Sequence, residues 1–182
     1  HIPIAHISGG DVTLGAADEY YRHCITKMAA VHFPSCADSA ARLVRMGEAP
    51  ETVFCVGGLG DENIRTLPKM SREELCTSTG LPLQQPFALV TYHPETSADA
   101  GSPAAQSEAL CRAMAAVPGV YWLITGSNAD AGGQLCTARM QRFAAEHPDR
   151  AGFIQSLGLR RYLSAMQYAA LVAGNSSSGV VE

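Results

Sequence analysis

The residues Gly174-Asn175-Ser176-Ser177-Ser178-Gly179-Val180-Val181-Glu182 follow directly on the apolar run Ala169-Ala170-Leu171-Val172-Ala173, and this order reads as an anion cradle at a strand end. Small residues let backbone N–H groups approach an anion, hydroxyls donate to its oxygens, and a helix starting near Gly179 aims its positive end at the same point. A Ser-rich turn with an ordinary N-cap has the same spacing and stays open at this stage. Glu182 lies one turn into that helix, where a carboxylate can hold ribose hydroxyls, so a nucleotide fits better than bare phosphate.

Three more polar loops follow apolar runs in the same way: His93-Pro94-Glu95-Thr96, Gly126-Ser127-Asn128-Ala129-Asp130-Ala131-Gly132-Gly133 and Gln155-Ser156-Leu157-Gly158. In parallel α/β sheets, ligands collect beyond the carboxyl ends of the strands, so these loops should face one crevice. Ser8-Gly9-Gly10-Asp11-Val12-Thr13 has the same character after the opening run Ile2-Pro3-Ile4-Ala5-His6-Ile7, and a site shared by two domains at their mouth is expected.

The elements that must carry these loops alternate between short β-rich runs and amphipathic helical stretches, which predicts an α/β fold of parallel sheets wrapped by helices. A first group has strands near 2–7, 31–34 and 52–56 with helices near 17–29 and 37–46. A second has strands near 87–92, 120–125, 152–154 and 171–173 with helices near 104–116, 134–146 and 161–168. Between them, residues 67–86 carry three prolines and a glycine around a short helical segment, Arg72-Glu73-Glu74-Leu75, and read as an interdomain linker. The opening run reads as a buried strand, and neither group looks closed. The chain is therefore expected to be a piece of a parent about twice its length, and to be inactive and self-associating when made alone.

These residues resemble a known family. His6-Ile7-Ser8-Gly9-Gly10-Asp11-Val12-Thr13, followed by Ala17-Asp18-Glu19-Tyr20-Tyr21-Arg22-His23-Cys24-Ile25-Thr26-Lys27-Met28, is similar to the HIxGGEVTxGxxDDxxRHxITKM signature of hydrolysing UDP-N-acetylglucosamine 2-epimerases of the sialic-acid-pathway type. The stretch 127–133, Gly174 to Gly179 with Glu182, and Ser156-Leu157-Gly158 with Tyr162-Leu163 resemble further family motifs in the same order, over essentially the whole chain. The resemblance implies two Rossmann-like domains in a glycosyltransferase-B arrangement, both incomplete in this chain, with UDP held mainly by the C-terminal one: 1–66 from the first domain, 67–86 the linker, 87–182 most of the second. It also implies anti elimination of UDP from UDP-N-acetylglucosamine to a glycal, then addition of water to release N-acetylmannosamine. The non-hydrolysing branch reads more like HVEAGLR and PEEANR, which this chain does not follow. That branch, a glycosyltransferase of the same architecture and a nucleotide-sugar-binding module without turnover remain the alternatives.

The reaction needs a base for the C2 proton, an acid or electrostatic partner for the departing nucleotide and stabilisation of oxocarbenium-like charge. By resemblance, the catalytic candidates are Asp18, Arg22, His93 and His6, and the substrate-binding ones Asn128, Leu157 through its backbone, Ser176, Ser177 and Glu182. The plain alternatives are an i,i+4 ion pair between Asp18 and Arg22, a loop histidine at 93 and a turn asparagine at 128. His32 and His147 read as structural or surface histidines. Asp11 stands where the family more often has Glu, and Ser8 where Glu or His is common, so sugar specificity could differ.

With 47% hydrophobic and 16% charged residues and a net charge of -4, the composition disfavours nucleic acid or an anionic membrane as partner. No apolar run approaches the ~20 residues of a membrane span. The six cysteines (Cys24, Cys36, Cys55, Cys76, Cys111, Cys136) form no CxxC pair or zinc spacing, and read as reduced core thiols of a cytoplasmic protein. Trp122, within Tyr121-Trp122-Leu123-Ile124, reads as strand core. The expectation is an enzyme with no cofactor and no metal site of its own, any divalent ion arriving on the diphosphate, and with a homodimer or higher homo-oligomer as the family's assembly.

Overall fold

The computed structural model describes residues 2–15, 17–95, 101–128 and 132–181. It divides into two units, His1–Thr66 and Leu67–Glu182. Both are built on parallel sheets, so the chain has a mixed α/β fold. Among the described residues, no helix is long and apolar enough to cross a membrane.

In the first unit, β1 (Ala5–Ile7) pairs in parallel with β2 (Val31–Phe33), with His6 opposite His32. The helix α1 (Ala17–Met28) connects them, and α2 (Ala37–Arg45) and α3 (Leu59–Thr66) follow. The opening segment differs from the buried strand expected of it. It is three residues long, and its pleat turns His6 inward while Ile7 stays 53% exposed. The strand expected near 52–56 is a single bridge of Val53 to His32 after a 3₁₀ turn at Pro50–Thr52. Phe54 N–H still donates to the His32 carbonyl at 2.9 Å, so the chain runs beside β2 without forming a ladder.

The second unit is a doubly wound sheet of β3 (Phe87–Thr91), β4 (Tyr121–Thr125), β5 (Ala151–Ile154) and β6 (Leu171–Gly174), ordered β5-β4-β3-β6 and parallel throughout. The helices are α4 (Arg72–Thr79), α5 (Pro103–Ala116), α6 (Gly133–Glu146), α7 (Gly158–Tyr168) and the short α8 (Ser178–Val181). All five residues of β3 and of β4 are buried, as strands covered on both faces must be. Alternate residues serve opposite layers: Ala88 and Val90 pack with Trp122, Met140 and Phe143. Phe87 and Leu89 pack with Leu75, Leu83 and Ala165 on the other side. Strand order reverses between β3 and β6, which places the switch point, and hence the crevice for a ligand, at the loops after those two strands.

Residues 67–86, expected as a linker, belong to this second unit. A capping box between Ser71 and Glu74 starts α4, and Gly80 in the left-handed region ends it. Leu75 and Leu83 are fully buried, Arg72 Nε donates to the Leu83 carbonyl at 2.7 Å and Met70 N–H donates to Ser164 Oγ at 2.9 Å. The prolines punctuate the segment, and its two fully buried leucines, Leu75 and Leu83, decide where it lies.

The cysteines are free, but only Cys111 and Cys136 are core residues; Cys24, Cys36 and Cys55 are exposed. For Cys24 the reason is that the buried position on α1 is Thr26, so the thiol falls on the outer face.

Candidate functional site

The switch point of the second unit is assembled around His93, two residues past β3. Asn175, in the turn after β6, grips the main chain of His93 from both sides. Its Oδ1 accepts from His93 N–H at 2.8 Å and its Nδ2 donates to the His93 carbonyl at 2.7 Å. The ring is oriented from the β4 side, where Asn128 N–H donates to His93 Nδ1 at 3.0 Å. A neutral imidazole that accepts at Nδ1 carries its proton on Nε2, so that edge of His93, without a partner among the described residues, is a donor. Asn128 is held in turn by its neighbours: Ser127 Oγ donates to the Tyr92 carbonyl at 2.7 Å and Ser127 N–H to Thr137 Oγ1 at 3.1 Å.

Among the described residues, two of the cavities at this end of the sheet are lined by the remaining loops. One, of about 320 Å³, is lined by Thr125, Gly126, Ser156, Leu157, Gly158 and Tyr162 among others. Leu157 is buried and its carbonyl accepts from Arg161 Nε at 2.8 Å, which fixes the loop ahead of α7. The other cavity, of about 240 Å³, is lined by Thr91, Gly174, Ser176 and Gly179 with Val172 and Ala173. Ser176 is half-buried and Ser177 exposed, while Glu182 lies outside the described residues.

Asp11 closes the glycine turn of the first unit: its Oδ1 accepts from Ser39 Oγ at 2.7 Å and Ser35 Oγ at 3.0 Å. Gly10 has φ +82°, and a Cβ there would lie 2.9 Å from the Ser39 carbonyl carbon, so only glycine suits the turn. The helix α1 brings Arg22 onto this loop and leaves Asp18 exposed in its first turn. Arg22 donates to Glu19 Oε2 at 3.3 Å, to the Asp11 carbonyl at 3.0 Å and to Thr13 Oγ1 at 3.1 Å. Glu19 also accepts from Thr13 N–H at 2.8 Å and pairs with Arg22 at i,i+3, so Arg22 is engaged away from the i,i+4 pairing that is the plain alternative for Asp18, whose carboxylate is exposed.

His6 is 7% exposed, with Nδ1 3.1 Å from Thr26 Oγ1 and the His32 ring edge-on at 6.4 Å. Burial, with the nearby His32 and Arg22, pushes its pKa down, against a smaller upward pull from Asp11. His32 is no surface residue: it is 1% exposed with Nε2 3.2 Å from Glu48 Oε2. Lys27 Nζ sits 2.6 Å from Glu48 Oε1, and this hydrogen bond is the main reason the carboxyl is held below its ordinary range. Reading spacing alone missed Asn175 as the partner of His93, His32 as the neighbour of His6, and Glu48 as the partner of His32. A bidentate amide and a strand-paired histidine leave no periodic signal.

The second unit is thus a doubly wound parallel α/β domain with polar loops at its switch point, the place where open α/β sheets take their ligands. The family model described as UDP-N-acetylglucosamine 2-epimerase matches residues 1–182, and the chain belongs to that family. A relative from Campylobacter jejuni, named GDP/UDP-N,N'-diacetylbacillosamine 2-epimerase (hydrolyzing), is 32% identical over 100% of this chain and 47% of its own length. The polysialic acid biosynthesis protein P7 of Escherichia coli is 35% identical over 100% of this chain and 46% of its own length. The solved structure of UDP-GlcNAc 2-epimerase from Neisseria meningitidis bound to UDP-GlcNAc shares the fold with a TM-score of 0.69 at 15% identity, over 96% of this chain and 48% of that one. The chain thus spans about half the length of the relatives it matches.

Proposed function

We propose that this chain forms the nucleotide site and part of the catalytic face of a hydrolysing UDP-sugar 2-epimerase. In the reaction, a base removes the C2 proton, the C1–O bond to UDP breaks to give a glycal, and water adds across it to release the free 2-epimeric sugar. The observation that carries the reading is His93, whose Nδ1 is occupied by Asn128 N–H so that Nε2–H is offered at the switch point. A donor there suits the departing diphosphate oxygen. In this reading Ser176 and Ser177 meet the diphosphate, Glu182 the ribose hydroxyls, Asn128 the sugar and the Leu157 backbone the base. Asp18, Arg22 and His6 serve the elimination, and a homo-oligomer working without a cofactor in the cytoplasm is part of the proposal.

The sugar has two readings. N-acetylglucosamine follows from the motifs. A 2,4-diacetamido sugar is favoured by the names of the relatives from Campylobacter jejuni and Legionella pneumophila, at 32% and 31% identity. It is also favoured by Ser8, exposed at the end of β1, whose short side chain leaves room where Glu or His would extend. Incubating the full-length protein with each UDP-sugar and following the products by NMR decides between them. Free N-acetylmannosamine with UDP supports the first reading, turnover of the diacetamido sugar alone supports the second, and a nucleotide-linked epimer would remove hydrolysis from the proposal.

Replacing Glu182 by alanine is expected to weaken UDP binding roughly 10- to 100-fold, as for a lost pair of charged hydroxyl contacts. Unchanged affinity in calorimetry would take Glu182 out of the ribose site.

A further inference from the structure

A continuous run of hydroxyls lies under the serine turn. Ser176 Oγ is 2.8 Å from Ser178 Oγ, which is 2.7 Å from the Tyr162 hydroxyl. Tyr162 is 3.1 Å from Thr91 Oγ1, and Thr91 is 2.8 Å from Thr125 Oγ1, both threonines being buried at the ends of β3 and β4. The run ends where Thr125 Oγ1 donates to the Val90 carbonyl at 3.2 Å.

That last bond fixes the polarity of the whole run. Each hydroxyl has one proton, and a carbonyl only accepts. Thr125 gives its proton to Val90, so it receives one from Thr91; Thr91 then receives from Tyr162, Tyr162 from Ser178 and Ser178 from Ser176. Every proton points inward. The Tyr162 ring meanwhile lines the 320 Å³ cavity with Leu157 and Gly158, so one residue touches both that cavity and the serine turn.

We propose that the Tyr162 hydroxyl is a positioning group of the nucleotide site, tying Ser178 to the buried Thr91–Thr125 pair and so holding the serine turn where a nucleoside diphosphate meets it. The proposal rests on the nucleotide-site reading above. An arriving anion needs a donor, and Ser176 supplies it by turning its single proton outward. Ser178 keeps its proton on Tyr162 and the turn stays in place. Ser176 exchanges a neutral hydrogen bond for a charge-assisted one, which is the stronger of the two. Without the Tyr162 hydroxyl, Ser178 loses its inward acceptor, and the turn keeps Asn175 on His93 but loses its hydroxyl link to the buried threonines.

The test uses Tyr162→Phe, which keeps the ring and removes the hydroxyl, together with Ser178→Ala and the double variant in the full-length protein. UDP affinity is measured by calorimetry, uridine affinity by NMR, and backbone exchange over residues 175–181 without ligand. Either single variant should bind UDP roughly five- to tenfold more weakly while uridine changes by less than about twofold, and the double should be no worse than about twofold beyond a single. Exchange in the turn should accelerate in Tyr162→Phe. Equal weakening of both ligands with a lowered Tm would mean that Tyr162 only supports the fold, and unchanged UDP affinity would overturn the proposal outright. Should the unaltered protein fail to bind UDP, the nucleotide reading falls, and the exchange result alone decides whether Tyr162 anchors the turn.

Discussion

Gly174→Ala should unfold the switch-point end of the second unit. Gly174 has φ +139°, a backbone conformation closed to other L-residues, and an added methyl would meet the Thr91 carbonyl, with the carbonyl carbon 2.7 Å away. Thr91 is its partner in the β3–β6 ladder, so the obstruction is main chain and no rotamer relieves it. Either β6 separates from β3 or the turn after it swings away, and both displace Asn175 from His93 and Ser178 from Tyr162. Backbone strain and overpacking each cost about 1–3 kcal/mol, so their sum is expected to lower Tm by roughly 10 °C or more and to abolish UDP binding. Gly119→Ala is the control. Its φ of +75° is also left-handed, but nothing lies within 4 Å of the added Cβ, so it should cost only about 1 kcal/mol and leave binding intact. Equal Tm losses in the two variants would show that φ alone, and not the approach to Thr91, fixes glycine at position 174.

The strands of the second unit were legible in the sequence because sheets buried on both faces demand uninterrupted apolar runs such as Phe87-Ala88-Leu89-Val90 and Tyr121-Trp122-Leu123-Ile124. The first unit gave weaker signals. Its sheet has two short strands, and at β1 the residue turned inward is the polar His6 while the apolar Ile7 points out, the reverse of what hydropathy suggests. For α4 the prolines on either side outweighed two core leucines, since burial by a distant helix such as α7 cannot be read from local composition. The polar contacts show the same limit. His93 meets Asn175 across 82 residues and Tyr162 meets Thr91 across 71, separations that topology sets and no spacing rule encodes. Motif order located the loops, and strand order brought them together.

Asp18→Asn is expected to lower kcat by about 100-fold or more with UDP affinity nearly unchanged, as for a group that acts on a proton in the transition state. The geometry of α1 makes this a clean experiment, because structural work in its first turn falls to the neighbouring carboxylate. Glu19 accepts from Thr13 N–H and pairs with Arg22, which also holds the Asp11 carbonyl and Thr13 Oγ1, so the glycine-turn loop is fastened to the helix through Glu19. Asp18 is exposed and, among the described residues, holds none of those contacts. Losing its charge near the helix N-terminus should cost only about 0.3–1 kcal/mol. Glu19→Gln should behave oppositely, loosening the 11–13 loop and lowering Tm while reducing activity in proportion to the folded fraction. A kcat within about threefold of the unaltered enzyme for Asp18→Asn, with only KM raised, would make Asp18 a binding carboxylate and move the search for the base to the buried face of β1, where His6 faces Thr26.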